Sequence, residues 1–272
     1  MAIMEAQTSR LGLGLSAIVI TKNEAAHIAA CLASVSFADE IIVLDSGSTD
    51  GTVELARNLG AQVHQSPDWP GFGPQKNRAL ALATQDWVFS IDADERVTPE
   101  LRGEIINTLR DPKRTGYEVL RLSEFCGKPI RHSGWWPDPV LRLFRRESGR
   151  FSDALVHESV SLSDGKPGRF KSHLLHYPHP TLDSLIDKVN RYSSEAAKMM
   201  FAKGKRAGLP TIVAHSMWTF IRIYFLKLGI LDGRHGFVLA VTAASGNFLR
   251  YSKLMFLAEA KDQNENGKDH KL

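Results

Sequence analysis

Trp87-Val88-Phe89-Ser90-Ile91-Asp92-Ala93-Asp94-Glu95 is the stretch whose reading decides the fold. It starts as an apolar run of the kind found in a strand buried on both faces, and it runs directly into three carboxylates. An unpaired buried carboxylate is costly, and several close together repel one another as well. Carboxylates at the end of a buried strand therefore call for a counter-charge, and a hard divalent cation held by oxygen ligands is a common one. The plainer alternative is a solvated turn leading into a helix, with Asp94 or Glu95 near the helix start. The rest of the chain decides between the two.

Working outward from this stretch, the preceding residues alternate strand and helix. Leu15–Ile20 is a β-branched apolar run that ends in Thr21-Lys22-Asn23-Glu24. An amphipathic stretch follows, with Ile28, Leu32 and Val35 on one face. Glu40–Leu44 is a second buried-strand pattern, ending in Asp45-Ser46-Gly47-Ser48-Thr49-Asp50-Gly51-Thr52. Its glycines and small hydroxyl residues suit a tight turn close to a ligand. Asp50 is the expected N-cap of a helix over Thr52–Leu59 that stops at Gly60. Ala61–His64, Gln75–Ala83 and Asp86–Ile91 complete the pattern as strand, helix and strand. The alternation predicts an α/β fold with a single Rossmann-like, doubly wound, mostly parallel sheet. Ligands bind such sheets beyond the carboxyl ends of the strands. Three strand ends bearing Asn23-Glu24, Asp45 and Asp92-Asp94 should therefore share one rim. There is no Gly-x-Gly-x-x-Gly after the first strand and no Walker A sequence, so neither a dinucleotide oxidoreductase nor a P-loop enzyme is indicated.

Composition sets wider bounds. The chain has 272 residues, 43% hydrophobic and 24% charged, with a net charge of +4. That describes an ordered globular protein, too mildly basic to argue for nucleic acid and compatible with phosphate-bearing ligands or an anionic membrane face. Cys31 and Cys126 lie far apart and form no metal-type spacing, as expected of reduced thiols in a cytoplasmic setting. Residues 1–14 read as a disordered leader and not a signal peptide, because Glu5 and Gln7 interrupt them. Residues 259–272 read as a polar tail.

Ala17–Glu24, Ala38–Thr52 and Asp92-Ala93-Asp94-Glu95, in this order, resemble the signature of family 2 glycosyltransferases of the GT-A fold. Within that family the chain is most similar to bacterial lipopolysaccharide-core β-1,4-glucosyltransferases acting on inner-core heptose. The resemblance covers about residues 15–180. It implies that Thr21, Asn23, Glu24 and Asp45 line the nucleotide pocket of a UDP-sugar, with Asp92 near the ribose and sugar. It implies that Asp94 holds a divalent cation, Mg²⁺ or Mn²⁺, bridging the diphosphate, with Asp92 as a further candidate ligand. Lys76 and Arg78, on the helix before the fourth strand, would add positive charge near the diphosphate, unless they belong to a solvated helix face.

The middle segment is where an acceptor should meet the donor. Trp135 and Trp136 are expected to stack on a sugar face, beside Asp138 on the same loop. Alternatively, one tryptophan is core and the other covers a loop. Val140–Arg146 alternates apolar and basic residues, a strand that offers Arg142 to one side, within reach of a phosphate. Inverting transfer needs a base for the acceptor hydroxyl. In similar enzymes a carboxylate from this part of the chain serves, which selects Glu158, with Asp153 as competitor, Asp92 as a second catalytic carboxylate and His157 as an additional metal ligand. His173, His176 and His179 do not have zinc-site spacing, and His176 is the one expected to face the site.

The last third reads as a helical appendage over residues 181–258. Leu185, Val189, Tyr192 and Ala196 share a helix face. Thr211–Leu231 is very apolar, but Arg222 interrupts it, so an interfacial amphipathic helix on an anionic membrane is expected in place of a spanning one. Two helices packed on the catalytic domain are the alternative. The combined expectation is a metal-dependent inverting hexosyltransferase, peripheral on the cytoplasmic face of the inner membrane. It would move a hexose, by resemblance glucose, from a UDP-sugar to a lipid-linked saccharide of the lipopolysaccharide core. Rival expectations are a polyprenyl-phosphate sugar transferase, another cell-envelope polysaccharide glycosyltransferase, or a non-catalytic sugar-nucleotide or glycan-binding module.

Overall fold

The computed structural model describes residues 13–153 and 159–269, with side chains through residue 261. It falls into two compact units. The first holds the described residues up to Leu122 together with Asp138–Tyr177, and the second holds Ser123–Pro137 together with the chain from Pro178 onward.

The first unit begins with β1 (Leu15–Thr21), α1 (Ile28–Ser34), β2 (Glu40–Asp45), α2 (Thr52–Asn58), β3 (Gln62–Gln65), α3 (Phe72–Leu82) and β4 (Trp87–Ser90). It continues through β5 (Glu95–Val97), α4 (Pro99–Arg110), β6 (Gly116–Phe125), β7 (Lys128–Pro129), β8 (Pro139–Arg145), β9 (Gly149–Phe151), β10 (Val160–Leu162) and β11 (Gly168–His179), with β7 belonging to the second unit. The main sheet has the order β3-β2-β1-β4-β8-β6-β11-β5, with β7 added beside β6. Its first four strands are parallel, which is the doubly wound part expected from the alternating pattern. Beyond β4 the sheet continues with antiparallel pairings, β4 with β8, β8 with β6 and β11 with β5, so the whole sheet is mixed.

The parallel strands are buried on both faces, and this is why their sequences read as continuous apolar runs. Ala17, Val19, Val43 and Phe89 point into a core that also takes Ile28, Cys31, Leu32, Leu101 and Ile105 from α1 and α4. Ile18, Ile42, Leu44 and Val88 point the other way, against Ala79 and Ala83 of the α3 region. The register sets Thr21 opposite Asp45 and Ile18 opposite Ser90, so the polar strand ends share an edge.

Two local expectations change. Gly51, not Asp50, occupies the N-cap position of α2, at φ +86°, which favours glycine. Asp50 still serves the helix start, accepting the Thr52 N–H at 3.2 Å. Glu95 starts a short strand instead of a helix, and α4 begins four residues later with Thr98 as its cap. The alternation of buried, half-buried and buried over Glu95-Arg96-Val97 carries the strand period, but three residues are too few to register it.

The second unit is helical. α5 (Leu182–Ala202) packs on α7 (Arg234–Asp269), as does α6 (Leu209–Ile221). The apolar run 211–231 is therefore not one helix. It breaks into α6, a π-helical turn (Arg222–Leu226) and a 3₁₀ turn (Gly229–Asp232). Leu228 takes a left-handed φ of +53°, and a Cβ at Gly229 would sit 2.8 Å from the Ile223 carbonyl oxygen, so the turns close only with glycine there. No helix among the described residues is long and apolar enough to cross a membrane.

Candidate active site

The rim is built on Asp92. Its Oδ1 lies 2.8 Å from Lys76 Nζ and its Oδ2 lies 2.6 Å from Arg142 Nη2. Lys76 is presented by α3 and Arg142 by β8, and both side chains are buried. Arg142 Nη2 also donates to Glu95 Oε1, while Glu95 Oε2 accepts the Asp92 N–H at 3.0 Å. Glu95, fully buried, thus orients the arginine that orients Asp92. Burial alone would push the Asp92 carboxyl up, but the two cations outweigh it and hold it well below the usual carboxylate range. Arg142 is therefore not offered to one side of its strand for a phosphate. It is buried between two carboxylates, and removing one member of such a set leaves an uncompensated charge. Its Nε has no hydrogen-bond partner among the described residues.

Asp94 follows two residues later. The β5–β11 register pairs Glu95 with His176, which brings His176 Nε2 to 3.4 Å from Asp94 Oδ2. The Tyr177 N–H fixes the Asp94 carbonyl at 2.9 Å. Burial pushes the Asp94 carboxyl up, while the hydrogen bond and charge of His176 prevail and hold it low. A carboxylate oxygen facing an imidazole nitrogen is a donor pair that suits Mn²⁺ and is compatible with Mg²⁺. Asp92, with both oxygens on cations, is not disposed as a second carboxylate ligand. Among the described residues no three His, Cys, Asp or Glu side chains form a ready metal cluster.

Glu24 reports the field of this rim. Burial first, then the charges of Asp94 and Asp50, push its carboxyl from 4.5 up to about 7. Above pH 7 Glu24 is ionised in both states, but only the folded protein holds that charge half-buried among like charges. Below pH 4.5 both states are protonated and the difference vanishes. Glu24→Gln is therefore expected to raise Tm at pH 8.5 in EDTA, with the gain fading towards pH 4.5. Allowing for the partial exposure of Glu24, the effect is on the order of 1 kcal/mol, or about 2–4 °C. Calorimetric scans across pH check this, and an unchanged or lowered Tm at pH 8.5 would contradict it.

The loops after β1 and β2 are laced together. Asn23, at φ +58°, donates its N–H to Ser48 Oγ at 2.8 Å and accepts the Thr49 N–H at 2.8 Å. The Glu24 N–H donates to Thr52 Oγ1 at 2.8 Å, and the Ala25 N–H to Asp50 Oδ2 at 3.1 Å. Asp45 is fully buried and accepts from Thr21 Oγ1, the Gly47 and Ser48 N–H groups and the Ser48 hydroxyl. Thr21 and Asp45 thus tie the ends of β1 and β2 together from within. Gln75 of α3 braces them by donating to Ser46 Oγ at 3.1 Å.

The remaining expected residues divide. Arg78 is turned away into an exposed pair with Asp68 at 2.8 Å. Asp138 is bound by Arg121 at 2.7 Å. Trp135 and Trp136 lie in the second unit, both half-buried, where Trp135 packs on Phe125 and His179 and Arg131 covers Trp136 at 6.0 Å. Glu158 and His157 lie outside the described residues. The residues flanking 153–158 are held together, since the Ser152 N–H donates to the Ser159 carbonyl at 2.9 Å. Phe151 is fixed to α3 by both backbone bonds to Asn77, one residue from Lys76. Sequence reasoning missed Glu95 and Gln75. Their signal, a polar residue inside an otherwise buried turn or helix face, appears only once the partners are known.

A mixed α/β sheet whose strand-end rim gathers carboxylates and paired cations suits an enzyme that handles charged ligands, and comparison with known proteins gives the class. The Glycosyl transferase family 2 profile matches residues 16–159, more than half of the chain, and the chain belongs to that family. An uncharacterized glycosyltransferase of Rickettsia prowazekii is 34% identical, covering 92% of this chain and 89% of the relative. The lipopolysaccharide core biosynthesis glycosyltransferase LpsC of Rhizobium meliloti is also 34% identical, covering 89% of this chain and 92% of LpsC. Among solved structures, glucosyl-3-phosphoglycerate synthase of Mycobacterium tuberculosis, in complex with Mn²⁺, UDP and glucosyl-3-phosphoglycerate, is 31% identical over 40% of this chain and 44% of that one, with a TM-score of 0.35.

Proposed function

We propose that this family 2 glycosyltransferase is an inverting hexosyltransferase. It moves glucose from a UDP-sugar to a lipid-linked saccharide of the lipopolysaccharide core, at the cytoplasmic face of the inner membrane. The observation that carries the donor half is the convergence of Asp92, Asp94, Glu24 and His176 on one strand-end rim, with Lys76 and Arg142 holding Asp92. The identity shared with LpsC over most of both chains supports the acceptor class.

In this reading Thr21, Asn23, Glu24 and Asp45 form the nucleotide pocket, and Asp92 is held by its two cations for the ribose and sugar hydroxyls. Asp94 and His176 would hold a divalent cation. Such a cation, when bound, neutralises charge on a departing diphosphate. Glu158 takes the acceptor proton, with Asp153 as the nearest competing carboxylate in sequence. Trp135, Trp136 and Asp138 remain candidates for the acceptor. Arg142 passes from that group to the donor side, because its guanidinium is committed to Asp92 and Glu95.

The deciding experiment is a panel of nucleotide sugars screened for thermal stabilisation and slow hydrolysis, with Mn²⁺ or EDTA. UDP-glucose with Mn²⁺ is expected to raise Tm most, by an amount that follows RT ln(1 + [L]/Kd). Indifference to every nucleotide sugar would sink the enzyme reading in favour of a glycan-binding module. Preferential transfer to a polyprenyl phosphate would replace the acceptor.

A further inference from the structure

α6 is inside out for a helix on a water-soluble surface. Of its polar residues, Thr219 is buried against α7 and accepts from Asn247 Nδ2 at 2.6 Å, while His215, itself exposed, stacks on Tyr251 with ring centroids 4.4 Å apart. The hydroxyls of Ser216 and Thr219 donate back to the Ile212 and His215 carbonyls, leaving no polar group of theirs seeking water. The opposite face is apolar and open. Met217, Trp218, Leu226 and Leu231 are 60%, 55%, 61% and 62% exposed, and Phe225 and Phe248 extend the patch along the π turn and α7. A groove of about 400 Å³ between α6 and α7 is walled by Phe220, Ile221 and Val241. So many large apolar side chains exposed on neighbouring turns mark a candidate interaction site.

Charge identifies the occupant. Between Ala196 and Ala258 the sequence has nine cations, Lys198, Lys203, Lys205, Arg206, Arg222, Lys227, Arg234, Arg250 and Lys253, and one acid, Asp232. That acid is buried, accepting from the Ser133 hydroxyl at 2.7 Å and from the Arg131 and His132 N–H groups at 3.2 Å each. This stretch therefore joins exposed apolar side chains with an excess of cations, Lys203, Lys205, Arg206, Arg222 and Lys227 being exposed, while the exposed acids Glu195 and Glu259 lie at its borders. A second copy of the same face would bring like charges together. An anionic lipid leaflet complements both features, with acyl chains against the apolar side chains and phosphates against the cations.

We propose that the outer face of α6, the π turn and the adjoining face of α7 form an interfacial docking surface for an anionic bilayer, with Trp218 seated among the lipid headgroups. This gives the membrane partner of the proposed function a defined surface. It is tested without donor or acceptor, so failure of either reading leaves the other to stand or fall separately.

The full chain is mixed with vesicles of phosphatidylcholine alone or with 30% phosphatidylglycerol, at low and at 0.5 M salt. It should sediment with the anionic vesicles at low salt and be released by salt. Brominated lipids should quench its tryptophan fluorescence, and Trp218→Phe should remove most of that quenching while binding persists. A Lys203→Gln/Lys205→Gln/Arg206→Gln variant, altered only at exposed positions, should bind anionic vesicles about 10²-fold more weakly. Unchanged Tm would show that this variant is folded. Wild-type protein that stays in the supernatant with anionic vesicles overturns the proposal. So does quenching that survives Trp218→Phe. Self-association without vesicle binding would assign the face to a second copy and overturn it as well.

Discussion

Glu158→Gln is expected to lower kcat by about 10²–10⁴-fold while leaving UDP-sugar affinity unchanged. A general base acts on the acceptor hydroxyl, so its loss leaves donor contacts intact. Asn77 fixes Phe151 to the helix that presents Lys76, and Ser152 is bonded to Ser159. Phe151, Ser152 and Ser159, described residues on either side of the segment with Glu158, are thus tied to the helix that presents Lys76. Calorimetry of UDP-glucose binding and single-turnover transfer measure the two quantities separately. Full turnover in Glu158→Gln would move the base to Asp153, and Asp153→Asn then becomes the decisive variant.

Asp94→Asn is expected to act on both quantities. Metal-assisted neutralisation of a leaving diphosphate supplies several kcal/mol, so transfer should fall by about 10²–10³-fold. UDP affinity in Mn²⁺ should drop to the value that wild-type protein shows in EDTA. His176→Ala should move affinity in the same direction by a smaller amount, because it removes one nitrogen ligand and leaves the carboxylate. Asp92→Asn offers a contrast. Its cost should appear as lower stability, because Lys76 and Arg142 lose their shared counter-charge, together with a loss of donor affinity that is the same in Mn²⁺ and in EDTA. If UDP binds equally well in EDTA and Mn²⁺, the metal role of Asp94 fails.

The doubly wound half of the sheet was legible because its strands are buried on both faces and leave continuous apolar runs such as Ala17–Ile20 and Ile41–Leu44. The antiparallel half was less so. Strands such as β5 are three residues long, and their partners lie far along the chain, so no local period announces them. The strand-end carboxylates could be placed on one rim from sequence order alone. Their partners could not. That Arg142 belongs to Asp92 and Glu95 depends on β8 entering the sheet beside β4, a pairing across more than fifty residues. In the last third, hydropathy marked residues 211–231 correctly as unusual, but it treated them as one helix. The left-handed turn at Leu228 and the closeness of Gly229 to Ile223 are set by three-dimensional packing, which an average over a window does not register.

The lacing between Asn23-Glu24-Ala25 and Ser48–Thr52 has a practical consequence for anyone seeking to alter donor preference. Each of these three residues spends a backbone N–H on a side chain of the other loop, and Asn23 receives one in return. The two loops consequently behave as one inheritable module. Exchanging a single residue in either would loosen both, so under the nucleotide-pocket role proposed above the two loops are best transplanted together.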